Sequence, residues 1–155
     1  MKKILPLLLL LLVLPGCGRT SPCESLSGNW KFVGTFDNNQ FLDMTQIPEI
    51  MEMYQFTRLE LKHDGTFFFH DSLDYEGIIE EYQDPQVPFP TFRLTVKEYG
   101  TTNTVDGKKR QLREPYQGDP FLLIVPDSEK IMLRITDPLT FQALEIPFVF
   151  VREEG

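Results

Sequence analysis

Arg58-Leu59-Glu60-Leu61-Lys62-His63-Asp64-Gly65-Thr66-Phe67-Phe68-Phe69-His70 is the stretch that decides how this chain folds. Leu59 and Leu61 alternate with Arg58, Glu60 and Lys62, the period of two expected of a half-buried strand. His63-Asp64-Gly65 then supplies the small and polar residues at which a strand reverses. Two registers are open. A two-residue Asp64-Gly65 loop would set Phe68 and His70 opposite Leu61 and Leu59. A three-residue loop, with Gly65 left-handed in a bulge, sets Phe67 and Phe69 there instead. The second register places two phenylalanines on the apolar face and pairs His70 with Arg58 outside. A slip of one residue exchanges every side chain between faces, so the apolar pattern selects it.

The same period recurs on both sides of this hairpin. Trp30, Phe32, Gly34 and Phe36 alternate in one strand, and Phe92, Leu94 and Val96 in another. Tyr75 to Tyr82, Gln111 to Tyr116, Phe121 to Val125 and Ile131 to Ile135 supply further candidates. The last strand carries Leu144, Ile146, Phe148 and Phe150 on one face and ends at Arg152. Pro85, Pro88 and Pro90 break the pattern, which suits a loop or a sheet edge. The segment Thr101 to Arg110 is polar and holds Asp106-Gly107, another turn signal. Only Pro48 to Tyr54 predicts helix, because proline suits the first helical position and Glu49 the positive end. About eight or nine short strands with hardly any helix predict an all-β, antiparallel up-and-down barrel, since closure removes exposed edges. Its inward set is Phe32, Phe36, Leu59, Leu61, Phe67, Phe69, Phe92, Leu94, Val96, Phe148 and Phe150.

Gly28-Asn29-Trp30 at the head of the first strand resembles the Gly-x-Trp motif of lipocalins. Leu59-x-Leu61-x-x-Asp64-Gly65-Thr66-Phe67-x-Phe69 is similar to the second hairpin of small bacterial lipocalin-like lipoproteins. Phe148-x-Phe150-Val151-Arg152 resembles their final strand, whose basic residue packs across the tryptophan. The resemblance spans about residues 26 to 153. It implies a lipocalin-like barrel with a structural floor of Gly28, Trp30 and Arg152. A guanidinium over the indole face adds roughly 0.5–2 kcal/mol. It also implies a small apolar or amphipathic ligand held at the opposite end, with Phe36, Phe67, Phe69 and Phe92 as its lining.

The N-terminus predicts an address. Lys2 and Lys3, the apolar run Ile4 to Leu14 and a small residue at a cleavage point make a secretory signal. The run is shorter than the roughly 20 residues that span a bilayer. Leu14-Pro15-Gly16-Cys17 resembles the bacterial lipobox, which implies diacylglycerol on Cys17 and anchorage to a membrane by several acyl chains. The expected organisation is a signal peptide over 1–16, a lipidated tether over 17–25 and a barrel domain over 26–155. The retention signal of that family is aspartate after the lipidated cysteine. Gly18 stands there, so outer-membrane sorting is expected in a host with two membranes.

Composition narrows the function classes. Loss of Lys2 and Lys3 takes the formal charge from -8 to about -10, a surface unsuited to nucleic acid. Lys108-Lys109-Arg110 reads as a solvated turn. Cys23 has no intrachain partner once Cys17 carries lipid, so no disulfide framework is expected. His70-Asp71-Ser72 holds triad residue types, but neighbours on one strand cannot converge as a triad must. His63 and His70 with Asp71 or Asp74 lack the close-spaced second ligand of a metal site. Glu80 and Glu81 point to opposite faces as solvated acids. No enzyme, metal or cofactor is expected. Two functions compete: a barrel that binds or carries a small apolar molecule, and a filled barrel that acts as an envelope protein-interaction module. In the second, the proline-rich loop 84–90 and the loop 37–53, with Phe41, Met44, Met51 and Met53, would meet the partner.

Overall fold

A computed structural model describes residues 24–37, 40–105, 107–135 and 147–154. The decisive hairpin is β3 (Arg58–Leu61) and β4 (Thr66–His70), with Leu61 opposite Phe67, Leu59 opposite Phe69 and Arg58 opposite His70. Gly65 turns the chain at φ 81°, a left-handed geometry that glycine adopts without strain. Asp64 Oδ1 holds the turn by accepting from the Thr66 N–H at 2.9 Å and the Thr66 hydroxyl at 2.6 Å. The three-residue register is the one formed.

The remaining strands are β1 (Gly28–Asp37), β2 (Gln40–Asp43), β5 (Asp74–Glu81), β6 (Thr91–Val105), β7 (Lys108–Pro115), β8 (Phe121–Ile124), β9 (Lys130–Arg134) and β10 (Phe148–Arg152). One short helix, α1 (Pro48–Met53), sits between β2 and β3, with Pro48 and Glu49 in its first turn. Eight strands close into an antiparallel barrel in the order β1-β3-β4-β5-β6-β8-β9-β10, and β10 pairs back onto β1. β2 and β7 lie outside the ring. The expected barrel class is therefore present.

Two bulges shape it. In β1, Phe32 faces Phe150 but Gly34 faces Val149, so Val33 is one residue too many. In β6, Val96 faces Gly77 and Glu98 faces Glu76, which leaves Lys97 as the extra residue. A bulge bends a strand and re-aims every side chain beyond it. Above each bulge a new neighbour takes over the strand edge: β2 replaces β3 beside β1, and β7 replaces β8 beside β6. β1 and β6 run in the same direction round the ring. Both outlying hairpins therefore rise at the end away from Trp30.

The bulges correct two sequence expectations. Phe36 does not face the interior; it packs against an outer cluster of Val33, Ile124, Met132 and Val149. The run Lys108 to Arg110 is not the solvated turn expected of it, because β6 continues to Val105 and β7 already starts at Lys108. Lys108, Lys109 and Arg110 thus stand in a strand. The signal peptide, Cys17, the tether to Cys23, Leu144 and Ile146 lie outside the described residues.

Candidate functional site

The floor comes first because it fixes which end is which. Trp30 is fully buried and donates its indole N–H to Leu26 O at 3.0 Å. The Arg152 guanidinium lies 4.6 Å from the centre of its ring. Arg152 also donates to Ser27 O and Ser25 O, both at 2.8 Å, which ties the start of the described chain beneath the barrel. Gly28 has φ 139°, and a Cβ there would meet Arg152 Nη1 at 3.4 Å. His63 reaches the same corner, with Nδ1 3.0 Å from Ser27 Oγ.

Above the floor the interior is occupied by its own side chains. Phe67 and Phe69 are 1% and 0% exposed, which decides their environment: both belong to the core, Phe67 at its margin under a cleft on the wall beside Gly77 and Lys97. Phe69 sits among Tyr75, Phe121, Phe148 and Phe150, with ring centres 5.7–6.3 Å away. The contacts with Phe121 and Phe150 are edge-to-face and that with Tyr75 is stacked, both favoured geometries for aromatic rings. Phe92 is half-buried against the same core. Of the four residues expected to line a ligand, two are sealed in the core, one packs at its edge, and Phe36 faces outward.

Described side chains also cover the upper end. Tyr54, just after α1, stacks 4.6 Å from Phe32 and 5.9 Å from Phe148. Met44 and Met51 pack on the same core. Beside them stands an aromatic group that periodicity did not single out, made of Tyr75, Tyr99, Tyr116 and Phe121. Tyr99 follows Val96 by three residues instead of two, and that change of step is the trace the Lys97 bulge leaves in the sequence. Outside this closure several apolar side chains remain in solvent, with Met53, Phe56 and Leu112 the most exposed.

A polar network clasps β7 to the barrel. Asp74 is buried on the outer face, where its Oδ1 lies 2.5 Å from His70 Nδ1 and its Oδ2 accepts from the Thr102 hydroxyl at 2.8 Å. Arg113 reaches Asp74 Oδ2 at 3.4 Å and donates to Glu76 Oε1 at 2.9 Å. In the ladder, Arg113 faces Gly100 and Gly100 faces Asp74, so the guanidinium crosses a residue with no side chain. Burial works against the charge on Asp74. Hydrogen bonds from His70 and Thr102, with the charges of His70 and Arg113, outweigh it and hold the carboxyl below its ordinary range.

This geometry engages the residue types that suggested chemistry elsewhere. His70 is committed to Asp74, Asp71 accepts from the Thr57 hydroxyl at 2.9 Å, and Ser72 is an exposed turn residue. Glu80 accepts from the Thr95 hydroxyl on the outer wall, and Glu81 is exposed. Among the described residues no three His, Cys, Asp or Glu side chains group as a metal site, and no helix is long and apolar enough to cross a membrane. Clefts open on the outside: one near the floor lined by Asn29, Lys31 and Glu153, another on the wall where Arg93 stacks 4.3 Å over Tyr82.

The chain is thus an antiparallel up-and-down β-barrel whose described inward side chains pack on one another, with two outlying hairpins. No family model, curated protein or solved structure matches it.

Proposed function

We propose that this chain is an exported lipoprotein, anchored through Cys17, whose lipocalin-like barrel works through its outer surfaces as an envelope interaction module. The observation that carries the reading is Phe69, fully buried and ringed by four aromatic side chains at the level where a ligand would have to sit. A side chain in such contact contributes to stability, and a guest could enter only by displacing it. The Arg152–Trp30 stack supports the lipocalin likeness, and the signal-like N-terminus supports export. Gly18 after Cys17 favours the outer membrane where the host has one.

Carriage of a small apolar molecule is the second reading, and one feature favours it. The upper closure rests on Met44, Met51 and Tyr54, and α1 contributes no fully buried residue and has no side-chain N-cap. Flexible methionines over a core can repack around a guest. Native mass spectrometry on the intact lipidated protein, purified gently from its own membrane, separates the two. The module reading expects the mass of chain plus acyl groups and no uptake from an envelope lipid extract. A stoichiometric extra mass, lost on denaturation, would replace it with carriage and name the ligand class.

A further inference from the structure

β7 offers an open sheet edge. It pairs only with β6 among the described strands, and seven of its eight residues are exposed. Tyr116 donates its N–H to Lys97 O at 3.1 Å, just beyond the last pair of the β6–β7 ladder. Antiparallel pairs alternate between those that exchange hydrogen bonds and those that do not. Counting back, Glu114, Leu112, Arg110 and Lys108 turn their backbone groups toward β6. Lys109, Gln111 and Arg113 turn theirs outward. Pro115 falls in the outward set, where a missing N–H breaks no ladder bond. Three N–H groups with no partner among the described residues therefore stand at alternate positions along one edge, which is what an added strand needs.

The side chains specify the guest. Lys108, Lys109, Arg110 and Arg113 put four of the chain's fifteen cations into this one strand, in a protein of net charge -8. Lys108 and Arg110 lie on one face and Lys109 on the other, with exposed Leu112 beside Arg110. Arg113 is spent on Asp74 and Glu76, and that clasp holds the edge in place before any partner arrives. A second copy of β7 would bring like charges into register, which is how cations on an edge discourage self-pairing. The same cations favour a guest of opposite sign.

We propose that β7 accepts an extended acidic segment of a partner protein as an added antiparallel strand. The guest carries neighbouring carboxylates opposite Lys108 to Arg110 and an aliphatic residue opposite Leu112. This rests on the reading of the barrel as a surface-acting module.

The test uses the full chain and a capped peptide, Thr-Glu-Val-Thr-Glu-Glu-Glu-Thr, with the Lys-for-Glu peptide as control. Acidic-peptide binding should protect the amides of Lys109, Gln111 and Arg113 from exchange and weaken as salt rises. The triple variant Lys108→Glu, Lys109→Glu, Arg110→Glu should lose about tenfold or more in affinity and gain affinity for the control. Gln111→Pro deletes an outward N–H while leaving the β6 ladder intact, and should abolish amide protection with the barrel spectrum unchanged. Failure of the acidic peptide to bind the folded wild type, or binding that Gln111→Pro leaves untouched, overturns the proposal. So does self-association through β7 at low salt. These failures leave the module reading standing. An interior ligand found by mass spectrometry would remove that reading whatever the peptide does.

Discussion

The β1–β2 and β6–β7 hairpins are built by one backbone recipe and come to opposite ends. Each rises from a bulged ring strand, and each has a glycine where the second strand presses against it. A Cβ on Gly34 would run into the carbonyl oxygen of Leu42, and one on Gly100 into that of Leu112. The first hairpin runs on into α1 and Tyr54, and its continuation is drawn down onto the aromatic core. The second packs only its base on the core, through Tyr99 and Tyr116, and ends on a strand of exposed cations held by an ionic clasp. Backbone geometry therefore creates the overhang, and side-chain chemistry decides whether it becomes a closure or a free edge.

The comparison is broken most easily from below. Phe69→Ala removes the ring at the centre of the core and should cost about 3–5 kcal/mol in urea unfolding. The loss should be global. A loss below about 1 kcal/mol would mean that the interior is loosely filled and that the lid closes over a cavity.

Overpacking the glycines comes next, at about 1–3 kcal/mol each. Gly34→Ala should raise exchange at the β2 amides and also free Tyr54, because lid and hairpin are continuous. Gly100→Ala should raise exchange along β7 and spare the lid. Equal patterns in the two variants would show that the hairpins are not independent. Acid titration probes the clasp. The Asp74 carboxyl titrates below its ordinary 3.8, so its contribution is complete well above that value and lost as pH falls through the lower folded one. Asp74→Asn should flatten the acid limb of the stability curve. An acid limb identical to wild type would remove Asp74 from the linkage.

What was legible in the sequence follows the same division. The β3–β4 register could be deduced because Leu59, Leu61, Phe67 and Phe69 must share one face, and burial punishes any slip. α1 could be placed from Pro48 and Glu49. The Arg152–Trp30 contact was expected from the resemblance of Gly28-Asn29-Trp30 and the last strand to lipocalin motifs. Phe36 was misplaced because unbroken alternation carries no mark for the Val33 bulge. The neighbouring pair Phe32-Val33 was its only trace, since an inward and an outward apolar residue stand side by side there. β7 was half missed because an overhanging strand buries little, so Lys108 to Arg110 have no apolar face to alternate with. The Asp74–Arg113 clasp joins residues from separate strands across Gly100, and no local pattern announces such a pair.

The smallest expected effect is the sharpest test of the contrast. Leu112 is 65% exposed although it is aliphatic and stands in the middle of β7. Truncation at an exposed site away from packing features changes stability by about 0.5 kcal/mol or less, so Leu112→Ser should leave the urea midpoint almost unmoved. Tyr54→Ser strips the ring that contacts Phe32 and Phe148, and two such aromatic pairs are worth about 0.5–1.5 kcal/mol each beyond their burial. The difference between these two variants measures how far lid and edge have diverged. If Leu112→Ser costs as much as Tyr54→Ser, the β6–β7 hairpin folds down in solution and β7 is not a free edge. If it costs nothing, an apolar side chain is being kept in water at a position where serine would serve stability equally well, and its use lies in what it meets there.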